Sequence, residues 1–302
     1  MRKLITVFIS LMLLPELAFA GAWTLPKENL WTEYTIKYNW AKKTFNNTKN
    51  LGRMNNDARS WGWGMLPKME YGVTDWFTAL GGLEYKEAWY KELARPINWG
   101  PYSVKNHALT QVDFGGRIRI LDNPMVLSAQ AKFEVYTDYQ DLSLQDVAEA
   151  PELGDRVNML DLRLLAGKKW EAAIPYYLGA ESGIRFKDRN SGSDVPFFVE
   201  GGFWPLSWLI LRTEVDGFWL IQDSKRRTKK EYAIWRVGPT FDILDLWDIF
   251  SGKKTQPGKQ GANTSILRKG KGLELSVQYG YWFWGRNVNQ DQEVVLKLAG
   301  QY

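Results

Sequence analysis

Residues 70–85, EYGVTDWFTALGGLEY, set Phe77, Ala79, Leu83 and Tyr85 on alternate positions, with Thr78, Gly82 and Glu84 between them. A period of two is the mark of an extended strand whose two faces meet different surroundings. Twelve stretches of ten or more residues share it. The clearest are 29–41, 76–87, 108–121, 125–137, 158–170, 176–187, 208–221, 273–284 and 293–302, and fainter ones lie at 59–72, 195–204 and 231–243. In 125–137, Leu127, Ala129, Ala131, Phe133 and Val135 oppose Ser128, Gln130, Lys132 and Glu134; in 273–284, Leu275, Val277, Tyr279 and Phe283 oppose Glu274, Ser276 and Gln278. No helical period is sustained, and LDLWDIF (244–250) is the one short helix expected.

The connections alternate in length. Short ones fall at 73–75, 121–124, 170–175 and 204–207, and longer polar ones at 42–57, 91–106, 140–155, 190–196 and 224–230. Residues 251–271 break the rule, being long on the short-turn side. Their Gly, Pro and Lys content predicts a flexible periplasmic insert. A soluble sandwich has the same period, but its strands run to about five or six residues. A strand tilted through a bilayer needs about nine to eleven. The reading is therefore all-β: a single antiparallel transmembrane barrel of about twelve strands spanning 21–302, with short periplasmic turns and longer extracellular loops.

Composition fits that reading. Sixteen Trp, fourteen Tyr and fourteen Phe make up 15% of the 302 residues, and Trp40, Trp76, Trp170, Trp208, Trp235 and Phe283 fall near strand ends, where aromatic rings favour the lipid–water boundary. With no cysteine, neither a disulfide framework nor a thiolate metal site is available. The formal charge of +5 is spread along the chain, and nucleic acid is not an expected partner. Residues 1–20, MRKLITVFISLMLLPELAFA, have a charged start, an apolar run from Leu4 to Leu14 and an Ala18-Phe19-Ala20 end, the pattern of a signal peptide cleaved after Ala20.

The last strand ends in Tyr302, with Val294, Leu296, Leu298 and Gly300 on alternate positions before it. That terminus, with the signal peptide and the even strand number, resembles Gram-negative outer-membrane β-barrel proteins over the whole mature chain. The resemblance implies an outer-membrane location among lipid and lipopolysaccharide, and makes Tyr302 the signal read by the barrel-assembly machinery. Twelve-stranded channels for nucleosides or acidic oligosaccharides are similar in size, but none of their substrate motifs is matched. GAWTLPKENLWTEY (21–34), EYGVTDWFT (70–78) and FWGRNVN (283–289) resemble uncharacterised barrels found near exopolysaccharide genes. The outer-membrane phospholipases pair a strand His with a Ser two residues on. Here His107, the only histidine, has Leu109 in that place, and no second His can act as base. His107 shares a face with Gln111 and Asp113 by simple alternation and reads as a structural or rim residue. No enzyme and no cofactor are expected.

The polar faces carry both signs of charge. Pore-lining candidates are Glu33, Lys37, Glu84, Asp113, Arg117, Arg119, Lys132, Glu134, Arg163, Glu181, Arg185, Arg212, Glu214 and Arg236. They allow two readings: a salt-bridged lining, or a basic ladder of arginines that draws anions through. Lys225, Arg226, Arg227, Lys229 and Lys230, with Trp99 and Tyr102, are loop candidates for contact with lipopolysaccharide phosphates or an acidic glycan. Asp242, Asp245 and Asp248, three apart, read as the solvated face of the short helix, with a divalent cation as the alternative; no metal is assigned. The expected function is a narrow channel for small hydrophilic, anionic solutes. The alternative is a part in exopolysaccharide export or surface glycan attachment.

Overall fold

The structure, a computed structural model, describes residues 21–93, 102–137, 151, 153–154, 156–188, 192–222, 229–251 and 272–302. In chain order its strands are β1 (Leu30–Ala41), β2 (Lys43–Phe45), β3 (Leu51–Arg53), β4 (Arg59–Thr74), β5 (Phe77–Glu92), β6 (Tyr102–Leu121), β7 (Val126–Tyr136) and β8 (Met159–Trp170), followed by β9 (Tyr176–Lys187), β10 (Ser193–Leu206), β11 (Leu209–Gln222), β12 (Glu231–Asp242), β13 (Gly272–Arg286), β14 (Val288–Asn289) and β15 (Gln292–Gln301). Twelve of them form one closed antiparallel barrel, in which each long strand pairs with the next and β15 returns to β1. Ile36 lies opposite Leu296 and Tyr34 opposite Leu298 at that seam. Closure leaves no unpaired sheet edge, which a lipid environment requires. All twelve alternating stretches are barrel strands, so the fold is the one the pattern predicts.

The faces divide as the alternation requires. Phe133, Val277, Tyr279, Phe283, Leu296 and Leu298 are exposed on the outer wall, whereas Ser128, Glu134, Glu274, Ser276 and Gln278 are buried inside. Aromatic pairs ring both rims. Trp170–Tyr176 and Trp208–Phe241 stack at the short turns, and Trp61–Trp89 and Phe197–Trp219 stack toward the long loops. Tyr302 holds the seam through its backbone, donating to the Leu30 carbonyl at 2.8 Å and accepting from the Leu30 amide at 3.0 Å.

Four details depart from the pattern. First, β5 and β6 continue beyond 87 and before 108, so Tyr102 is not a loop residue but the first residue of β6, opposite Glu92. Lys91, Glu92, Ser103 and Lys105 are polar on both faces, and alternation fades once neither face meets lipid. Second, β6 carries a bulge: Glu84 pairs with Gln111 but Tyr85 with Leu109, leaving Thr110 as the extra residue. A bulge reverses the parity of the residues before it. His107 is therefore exposed on the outer wall opposite Glu87, while Asn106, Ala108 and Thr110 point inward. It does not share a face with Asp113. Third, β14, β2 and β3 form a small sheet at the long-loop rim, too short for any period to register. Fourth, the expected helix, α1 (Ile243–Phe250), is capped by Asp242, whose side chain accepts from the Leu244 and Asp245 amides at 2.9 and 3.1 Å. Asp242 and Asp245 are buried, so the three aspartates do not form a solvated face. Residues 1–20, and all of 251–271 except Ser251, lie outside the described residues.

Candidate functional site

The barrel encloses a cavity of about 1090 Å³ lined by thirteen cationic and ten carboxylate side chains. Glu33, Lys37, Glu84, Asp113, Arg117, Lys132, Glu134, Arg163, Glu181, Arg185, Arg212, Glu214 and Arg236 all face it. Arg119, paired with Ser128 two residues nearer the short turn, does not. Lys230 also lines the cavity, and the carbonyl of its neighbour Lys229 accepts from Asn287 at 2.9 Å. Lys225, Arg226, Arg227 and Trp99 lie outside the described residues.

Nearly all of these charges are paired. Arg163 grips Asp161 through two hydrogen bonds, 2.9 and 2.7 Å, and reaches Glu181 at 3.2 Å. Arg236 donates to Glu293 at 2.5 Å and to Asp216 at 3.3 Å; Arg212 pairs with Glu274 at 2.9 Å. Lys297 pairs with Glu214, Lys132 with Glu134 and Lys86 with Glu84, each at 2.9 Å. Asp161, Asp194, Glu274 and Glu293 stand behind the lining and offset its small cationic excess. The wall is thus a salt-bridged network, not an unopposed arginine ladder. Burying a charge inside a barrel costs several kcal/mol unless a counter-charge and hydrogen bonds accompany it, about what this network supplies. Lys37, Glu200 and Asp291 are exceptions: each faces the cavity with no opposite charge within 4 Å among the described residues.

Residues 21–28, which the strand pattern leaves unassigned, fold into the short-turn end of the barrel. The Trp23 carbonyl accepts from Arg117 at 3.0 Å, and the Ala22 carbonyl from Ser128. Thr24 Oγ1 donates to the Asp75 carbonyl at 2.9 Å, the Leu25 amide to Thr78 Oγ1 at 2.8 Å, and the Glu28 amide to the Gly72 carbonyl at 2.7 Å. Trp23 is 7% exposed, in a cluster with Ala22, Val126, Leu165, Tyr177, Trp204 and Ile210. Gly167 makes room for it, since a Cβ there would lie 2.4 Å from the Trp23 ring. The five wall residues of that cluster are apolar at inward positions near the short turns. This is the one sequence signal of the plug, visible only once the faces are known.

A second cavity of about 100 Å³ separates the plug from the wall, lined by Glu33, Glu70, Arg117, Arg212, Glu274 and Lys297 among others. It adjoins the main cavity, sharing Gly21, Trp31, Glu33, Glu70, Arg117, Arg212 and Lys297 with its lining, and lies toward the short-turn end beside Thr24, Leu25 and Gln301.

No protein-family model matches the sequence, and no curated protein matches it. Solved structures match in shape. An outer membrane channel from Pseudomonas putida F1 is similar at a TM-score of 0.61 and 11% identity, over 95% of this chain and 100% of that one. The transport unit of the autotransporter AIDA-I from Escherichia coli gives a TM-score of 0.45 at 9% identity, over 99% and 97% of the two chains. The translocator domain of the autotransporter NalP from Neisseria meningitidis gives 0.41 at 10%, over 100% and 93%. The chain has the fold of a Gram-negative outer-membrane β-barrel, closed by twelve antiparallel strands.

Proposed function

We propose that this protein is an outer-membrane channel for small hydrophilic solutes, held nearly closed by its own N-terminal segment. The observation that carries this reading is the wide polar cavity joined to a narrow charged slot beside the plug. A barrel that served only as an anchor has no need of either. The mature chain begins at Gly21, the short turns face the periplasm, and Tyr302 serves the assembly machinery. The ion-paired wall keeps the lumen wet without a strong field of one sign. A mild anion preference rests on Lys68 and Lys86, whose side chains are 51% and 37% exposed while their partners Glu33 and Glu84 are 14% and 19%; a cation standing further into the water than its carboxylate meets a passing ion first.

Single-channel recording of the refolded mature protein in a planar bilayer tests this. Small, steady steps are expected from the intact chain, larger ones from a chain lacking residues 22–28, and a salt gradient should show anions favoured. Silence from both chains, each confirmed as folded barrel, overturns the proposal. A glycan-export or attachment role has less support, because Lys230 faces the lumen and Tyr102 lies on a strand.

A further inference from the structure

Among the carboxylates of the lumen, Glu200 is the least provided for. It is 3% exposed, its Oε1 has no hydrogen-bond partner, and its Oε2 meets only the Tyr177 hydroxyl, at 3.4 Å. No cation lies within 4 Å of it among the described residues; the nearby Arg212 is paired with Glu274 instead. Its unpartnered oxygen is aimed at the start of the plug. A Cβ on Gly21 would stand 3.8 Å from Glu200 Oε1 and 3.0 Å from Glu181 Oε1. Glu181 spends its other oxygen, Oε2, on Arg163 at 3.2 Å. Two carboxylate oxygens therefore converge on residue 21, which is a glycine at φ 92°, with no side chain to fill the space.

We propose that Glu181 and Glu200 form a binding site for a primary ammonium, and that its occupant is the α-amino group created when the chain is cut between Ala20 and Gly21. The inference rests on that cleavage. Hydrolysis consumes one water, leaves a carboxylate on the departing peptide and leaves an amine on Gly21, which takes up a proton. Before the cut, nitrogen 21 is a neutral amide with one hydrogen to donate. Afterwards it is a cation with three, enough for both carboxylates. A buried carboxylate without a counter-charge, as Glu200 is here, is strongly disfavoured, so the seat is better matched by the cut chain's ammonium than by the uncut chain's amide. The seat is therefore filled by a cation only in a chain that has lost residues 1–20.

The test is chemical and independent of conductance. Intact mass of protein extracted from the outer membrane should correspond to a chain starting at Gly21; any other start overturns the proposal. The folded chain is then treated with 2-pyridinecarboxaldehyde, which modifies α-amines and not lysines, and the modified fraction is followed by mass spectrometry. In Glu181→Gln/Glu200→Gln the terminus should react about tenfold faster or more, the lower end of what losing a hydrogen bond to a charged group produces. Glu200→Gln alone should give a smaller rise and serves if the double variant does not fold by its unheated gel mobility. In a chain extended by Ser-Gly ahead of Gly21, the amine sits away from the seat and the Gln substitutions should change nothing. Equal rates with and without the two carboxylates, or the same acceleration in the extended chain, overturn the proposal. A barrel that passes no ions but shows this pattern would sink the channel reading and leave the ammonium site standing.

Discussion

Arg117 and Glu70 meet inside the barrel through two hydrogen bonds of 3.1 Å, and the same guanidinium donates to the Trp23 carbonyl at 3.0 Å. Gln130 completes its donors' partners at 3.1 and 3.2 Å. One side chain thus joins the wall of β4, the wall of β7 and the plug. Arg117→Met should remove all three links and leave Glu70, 20% exposed, without its partner. Loss of one member of a buried pair costs about 3–5 kcal/mol. A lower unfolding midpoint on unheated gels, together with larger conductance steps, is the expected outcome. A variant that melts earlier yet keeps wild-type steps would separate the pair's structural part from its hold on the plug.

The plug can be displaced without touching a charge. Gly167→Val places a branched side chain where the Trp23 ring lies, with atoms already 2.4 Å from an added Cβ. An approach that close cannot be kept, so the Trp23 ring should be pushed from its seat. Trp23→Ala empties the same seat at a cost of about 3–5 kcal/mol for an aromatic core residue. Both substitutions should raise the conductance in the same direction, and Trp23→Ala should add little to Gly167→Val. Additive effects would mean that the two residues act separately.

How much of this was legible in the sequence depends on distance along the chain. Phe77, Leu83 and Tyr85 against Thr78 and Glu84 declare their faces within one strand, because lipid and water select residues at every second position. Pairs such as Asp161–Arg163, Lys132–Glu134 and Glu84–Lys86 are visible for the same reason, being two positions apart on one face. Arg117–Glu70, Arg212–Glu274 and Arg236–Glu293 are not, since they depend on register across strands far apart in sequence. A single extra residue, Thr110, put His107 on the wrong face. The plug was hidden because its eight residues, 21–28, have no period. Its mark on the wall, the inward Val126, Leu165 and Ile210, looks locally like noise in an alternating pattern.

In the proposed channel, Lys68 and Lys86 would set the direction of ion preference. Their ammonium groups stand 3.7 and 2.9 Å from Glu33 and Glu84 and are the more exposed members of each pair. Replacing both by Gln leaves two carboxylates facing the cavity. The permeability ratio should move toward cations by about two- to fivefold, the effect of roughly 1 kcal/mol or less felt by an ion through water. The reversal potential in a salt gradient reads it directly, and the shift should shrink as salt is raised. No shift would place the ion path away from β4 and β5.

Asp291, in the turn between β14 and β15, should make stability depend on pH. Burial pushes its pKa from 3.8 up to about 7; Glu293 adds to the rise, and the hydrogen bond from Asn39, 3.2 Å, opposes it. Its Oδ1 is buried without a partner, so ionisation in the folded state is penalised. The unfolded chain releases this proton near pH 4, whereas the folded chain keeps it to about pH 7. Between those values the folded state binds more protons, and stability falls as pH rises, by at most about 4 kcal/mol in all. Below about pH 4 the group contributes nothing further, and above 7 the loss is complete. Asp291→Asn removes the titration while keeping the hydrogen bond from Asn39 available. The expected result is a melting midpoint that drops between pH 4.5 and 7.5 in the native protein and drops less in the variant, with the variant the more stable at the alkaline end. Parallel curves for the two proteins would assign the slope to other carboxylates.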